Sequence, residues 1–239
     1  MFTTGDENTS WLRTRFAARL LAARPKDVLD VGAGAGALLG ILRAAGIACR
    51  ATEADAERVR TLVRDGFDAV CADAVALPFE DGAFDWVAMR HVPHHLADPA
   101  RGVAEALRVA RRGLLVAEPW YDVSIASQRA ALAAERWTKE QERRTGRVHD
   151  DNHTAGDLLR FAGVALVGAA HHTVDVTHQL CLRLRALEDF EADAAPWLAA
   201  LAPDDARRRA YEALMVDARK DGLSWNGSAV VAIEKVAAP

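Results

Sequence analysis

The sequence predicts an α/β fold: a seven-stranded, mostly parallel sheet with helices on both faces and helical insertions that form a lid. Three observations carry this. Short apolar runs alternate with helix-forming stretches from Lys26 to Glu118, the rhythm of strand–helix–strand units that share one sheet. The first run ends in Asp30 and passes into Gly32-Ala33-Gly34-Ala35-Gly36 before a helical stretch opens. The rhythm then breaks at about residues 121–148 and 180–225, where long helical segments replace strands. One domain over residues 1–239 is expected, with those two segments as insertions.

Taken in order, Asp6–Ala23 reads as an amphipathic helix with Trp11, Phe16 and Leu20 at roughly helical spacing, closed by Pro25. Val28–Val31 is the first strand, Gly36–Ala45 a helix and Ala48–Thr52 the second strand. Ala54–Arg64 is helical, Ala69–Ala72 a third strand, Phe84–Met89 a fourth, Pro99–Val109 a helix and Leu114–Glu118 a fifth strand. Ser124–Arg147 is a long Ala/Arg/Glu-rich helix whose charges read as a solvated face. Thr154 caps a helix to Phe161, with Asp157 three residues on. Val164–Ala170 reads as a strand, ending near His171 and His172. Leu182–Asp221 is helical with breaks near Pro196 and Pro203, and Ala229–Val236 is the last strand.

Composition bounds the function. Of 239 residues, 51% are apolar and 27% charged, with a net charge of −4; this balance suits a globular protein and gives no footprint for nucleic acid or an anionic membrane. Cys49, Cys71 and Cys181 are too few and too scattered for a disulfide framework or a zinc site, and Cys49 and Cys71 fall in strands expected to be buried. A cytoplasmic monomer or homodimer that does not enter a membrane is the expectation.

The chemistry gathers where the strands end. Gly32, Ala33 and Gly34 supply a turn against which a ligand can lie without an obstructing Cβ, and the helix beyond offers free N–H groups. The same spacing fits dinucleotide binding. Asp30 separates the two readings, because its carboxylate would face the anionic pyrophosphate of a dinucleotide, whereas it suits a sulfonium and an ammonium. These charges belong to S-adenosylmethionine. Glu53, at the end of the second strand, can accept both hydroxyl hydrogens of an adenosine ribose, a use shared with NAD enzymes.

The set resembles the class I S-adenosylmethionine-dependent methyltransferases, in particular their small-molecule branch with its Rossmann-like sheet. The likeness covers roughly residues 26–170. It rests on Val28-Leu29-Asp30-Val31-Gly32-Ala33-Gly34-Ala35-Gly36, Glu53, Ala72-Asp73-Ala74, Leu77–Asp85 and His94-His95-Leu96-x-Asp98-Pro99. It implies that Asp73 accepts from the adenine amine, that Ala54 and Ala74 touch the adenine, and that Arg90 and His91 lie beside the methyl-bearing end. His149 and His153, in His149-Asp150-Asp151-Asn152-His153, are candidate bases for a small-molecule acceptor, as is His91 for contact with it. His91, His94 and His95 invite a metal, but Pro93 works against a regular helix across them, and no metal is expected. The function implied is in-line transfer of a methyl group to an oxygen, nitrogen or carbon, leaving S-adenosylhomocysteine. The rival readings are a protein of this fold that binds the cofactor without methyl transfer, and an NAD(P)-linked oxidoreductase.

Overall fold

The computed structural model describes residues 7–166 and 172–235. The elements run α1 (Glu7–Ala22), β1 (Asp27–Val31), α2 (Ala37–Ala44), β2 (Ala48–Glu53), α3 (Ala56–Arg64), β3 (Asp68–Cys71) and β4 (Phe84–Arg90). A 3₁₀ turn at Pro93–His95 leads to α4 (Pro99–Val109), β5 (Ala110–Trp120), α5 (Ala126–Arg143) and α6 (Ala155–Leu166). Then follow β6 (His172–Gln179), β7 (Leu184–Arg185), α7 (Leu187–Ala199), α8 (Ala206–Asp221), β8 (Leu223–Ser224) and β9 (Gly227–Lys235). The main sheet has seven strands in the order β3-β2-β1-β4-β5-β9-β6. The first five are parallel, and β9 runs antiparallel to both β5 and β6.

Alternation along the central strands builds two cores, as a sheet covered on both faces requires. Leu29, Val31, Val87, Met89, Leu114 and Val116 pack beneath α4 and α6. Val28, Trp86, Ala88, Leu115 and Ala117 pack on the other face with Phe16 and Leu20 of α1 and Leu38 and Leu42 of α2. Two charged networks fix the connections. Asp85, buried in β4, accepts from the Lys26 N–H and from Arg111 and Arg112. Arg108 on α4 donates to the carbonyls of Leu77 and Phe79 and to Asp81, so the loop that leads into β4 is held by one guanidinium.

The insertions meet above the carboxyl ends of β4 and β5. Ala130, Ala134 and Trp137 of α5 form a third apolar cluster with Phe190 of α7 and Leu214, Met215 and Ala218 of α8. The two-stranded β7–β8 ribbon ties this layer together.

Four sequence expectations change. Residues 164–166 complete α6 rather than opening a strand, while residues 167–171, including His171, lie outside the described residues. The strand comes later, at β6, an exposed edge that needs β-branched residues more than apolar ones (Thr173, Val174, Val176 and Thr177). Pro196 does not interrupt α7, because it lies near the helix end and deletes a single donor; the break falls at residues 200–205, around Pro203. The polar side of α5 is not wholly solvated: Gln128, Lys139 and Gln141 are buried, since the helix is covered by β8 on one side and by α8 on another. Cys71 is exposed rather than buried, at the end of the edge strand β3.

Candidate active site

Five parallel strands end at one edge of the sheet, the place where open α/β sheets take their ligands. At the end of β1 the chain turns through Gly32 and Gly34, at φ of 68° and 57°, which only glycine adopts without strain. The two glycines do different work. A Cβ on Gly32 would meet Val92 Cγ2 at 2.6 Å, so that position is needed for packing. A Cβ on Gly34 would meet nothing within 4 Å; that space is the open cradle. Glu53 braces it from the end of β2, one carboxylate oxygen accepting from the Gly34 N–H at 2.9 Å and the other from the Ala54 N–H at 3.0 Å. A carboxylate has about four acceptor positions, so Glu53 retains capacity for a ligand.

Asp30 is buried on the strand beneath this loop. Burial pushes its carboxyl up to about 7, against the opposing pull of Arg90. A half-ionised carboxyl in a dry setting is poised to gain a cationic partner. Asp73 closes its own turn by accepting from the Val75 N–H at 3.0 Å. Ala54 is exposed at the rim, whereas Ala74 is buried in the core beside Leu77 and Val103.

Past Arg90 the chain enters a cavity of about 370 Å³, floored by the ends of β4 and β5 and roofed by α5, α7 and β8. Arg90 and His91 line it, together with His94, His95, Tyr121, Lys139 and His149. His91 has φ of 57°, unusual for a residue with a side chain, and its Nδ1 takes a long contact from Arg90 Nη1 at 3.4 Å. Burial and the charge of Arg90 hold the His91 ring well below its ordinary pKa. Arg90 itself is lowered to about 10 by burial and by Arg13.

The far wall is histidine. His94 Nδ1 lies 2.7 Å from Glu118 Oε2, and both side chains are buried. Burial pushes the Glu118 carboxyl up and holds the His94 ring down. His149 Nδ1 is hydrogen-bonded to Glu142. Lys139 donates to the Asp150 carbonyl at 2.8 Å and to Asn152 Oδ1 at 2.6 Å, pinning the loop that delivers His149. His153 is turned elsewhere. It lines a smaller cavity of about 190 Å³, its ring edge on Phe161, and its Nε2 is buried with no hydrogen-bond partner.

Residues 29–117 match the family described as a methyltransferase domain. Over 113 residues the chain is 37% identical to an uncharacterised 37.1 kDa protein in transposon TN4556 of Streptomyces fradiae, covering 43% of this chain and 33% of that one. Over 104 residues it is 31% identical to ajmaline N-methyltransferase of Rauvolfia serpentina, covering 39% of this chain and 35% of that one. Among solved structures it resembles the YcgJ protein of Bacillus subtilis, with a TM-score of 0.63 at 14% identity, over 94% of this chain and all of that one. The match to a methyltransferase domain covers residues 29–117, and the sheet around it has the fold of that solved structure. The chain matches about a third of the length of these two curated relatives.

The structure therefore gathers Asp30, Gly32, Ala33, Gly34, Glu53, Arg90 and His91 along one edge, and His149 lines the same cavity as Arg90 and His91. Sequence reasoning missed Glu118 and Lys139. A signal existed for the first: Glu118 is a lone acid at the carboxyl end of an apolar strand, the same position that marked Asp30 and Glu53.

Proposed function

We propose that the chain is an S-adenosylmethionine-dependent methyltransferase acting on a mid-sized, partly apolar small molecule held in the lidded cavity. The observation that carries this reading is the open cradle at Gly34. It is bordered by a buried carboxyl and a bracing carboxylate and lies on the same sheet edge as the cavity. The residues fit the cofactor. Gly34 leaves room for it, Glu53 has acceptor capacity for ribose hydroxyls, Asp30 offers negative charge to its cationic end, and Arg90 suits its carboxylate. When bound, the cofactor supplies an already activated methyl group.

What remains for the protein is to align the acceptor and exclude water. Orientation of this kind is worth about 7–11 kcal/mol in favourable cases. The lid cluster of α5, α7 and α8 covers the cavity, and Tyr121, Phe190 and Trp225 give it aromatic walls. With its Nδ1 facing Arg90, His91 can offer its other ring nitrogen as a donor that orients the acceptor. His149, oriented by Glu142, lines the same cavity and can act on the acceptor's proton. His153 serves from behind, its backbone N–H reaching Glu118 at 3.4 Å. Crystals of the cofactor complex soaked with candidate acceptors test the reading. Density for an acceptor between His91 and His149 supports it, and an acceptor bound outside the lidded cavity refutes it.

A further inference from the structure

We propose that His94, His95 and His149 bind one divalent transition-metal ion, zinc foremost, in the wall of the cavity. One ring nitrogen from each lies within 4.8 Å of the other two, and the ring centroids are 4.2, 4.4 and 5.2 Å apart. Two of the rings stand on the short 3₁₀ turn after β4, and the third arrives from the loop after α5. The regular helix that Pro93 forbids is therefore not needed to assemble three ligands.

Each ring is also held from outside. His94 Nδ1 is engaged by Glu118 at 2.7 Å, His149 Nδ1 by Glu142, and the His95 ring by the backbone carbonyl of Val148. An oxygen acceptor on one ring nitrogen fixes the tautomer and orientation and leaves the second nitrogen to coordinate, the pattern that surrounds metal-bound histidines. Lys139, which pairs with Glu135 at 3.2 Å, and Arg143, which donates to the His149 carbonyl at 2.9 Å, are nearby cations, while Glu118 and Glu142 stand behind the rings as acids. Zinc–nitrogen bonds of about 2.0–2.1 Å require the rings to draw inward on binding. Three protein ligands leave a fourth position, and all three rings line the cavity, so that position is accessible to an oxygen of the bound small molecule, whose acidity an ion would raise. The metal site stands whether or not the chain transfers a methyl group. An ion on His149 occupies the lone pair that a direct base would use, so with the ion bound His149 acts on the acceptor through the metal.

The test uses tag-free protein, stripped with chelator and then dialysed against zinc or cobalt(II). Bound metal is counted by atomic emission, and the cobalt visible spectrum reports coordination. The wild type should retain one ion per chain with a histidine-type cobalt spectrum. His95→Ala and His149→Ala should each weaken binding by at least about tenfold, and Glu142→Gln by about 10–100-fold, while circular dichroism shows all three folded. His95 is exposed, so its variant retains the fold and keeps the test valid if the others do not. A wild type that retains no metal, or a folded His95→Ala that binds it equally well, overturns the proposal.

Discussion

Asp30 gives the sharpest prediction, because the same burial that readies it for a cation makes it a burden on the empty protein. Its carboxyl titrates near 7 rather than 3.8, a difference equivalent to about 4 kcal/mol. The sign follows from proton counting. Between about pH 4 and pH 7 the folded state holds the Asp30 proton and the unfolded state has lost it, so this group's contribution to stability falls as pH rises and levels off above 7. Asp30→Asn removes that dependence. In the cofactor-free protein the substitution should be nearly neutral near pH 4 and stabilising by roughly 1–4 kcal/mol above pH 7, the lower figures allowing for lost attraction to Arg90. Urea denaturation of both proteins across this range measures the difference directly. Cofactor affinity should move the other way, dropping in the variant and, in the wild type, declining below about pH 7 as Asp30 takes up its proton. A stability difference that stays constant with pH, or a variant destabilised above pH 7, would show that Asp30 is not a strained buried carboxyl.

Other outcomes follow from the same geometry. Gly34→Val should fold, at a cost of about 1–2 kcal/mol for the left-handed backbone, yet lose cofactor binding in calorimetry; Gly32→Val, which collides with Val92, should lower the melting temperature much further. Glu53→Ala should weaken cofactor binding by at most a few kcal/mol, given roughly 1.5–3 kcal/mol for each charge-assisted hydrogen bond, and unchanged affinity would leave Glu53 only as the brace of the Gly34 loop. His149→Ala should slow turnover by about 10²–10⁴-fold with little change in cofactor affinity, whereas His153→Ala, outside the larger cavity, should slow it far less. Equal losses in steady-state assays of the two variants would contradict this division.

The cofactor side was legible because its signals are local. Asp30, the glycines and Glu53 each sit at the end of a short apolar strand, and parallel strands deliver their ends to one edge whatever the rest of the chain does. The cavity wall was not legible in the same way. His94 and Glu118 are 24 residues apart, and the loop that brings His149 to them is held by Lys139, a residue that reads as solvated on an amphipathic helix but is buried, by Arg143 and by the Asp150 N–H on the His94 carbonyl. Such contacts arise when the loop after α5 docks on the ends of β4 and β5, and no periodicity within that segment encodes them. The misplaced strand has a similar cause. Val164–Ala170 is apolar enough for a strand, but its first residues continue a capped helix, while β6 pairs on one side only, with β9, and so carries little apolar signal.

The central claim, that the glycine cradle takes a cationic sulfur cofactor rather than a dinucleotide, is tested most directly by titration calorimetry. S-adenosylmethionine, S-adenosylhomocysteine and NAD are titrated separately into the wild-type protein above pH 7. Both sulfur ligands should bind at one site per chain, and NAD should give no heat. Binding of NAD with no heat from either sulfur ligand would contradict the account.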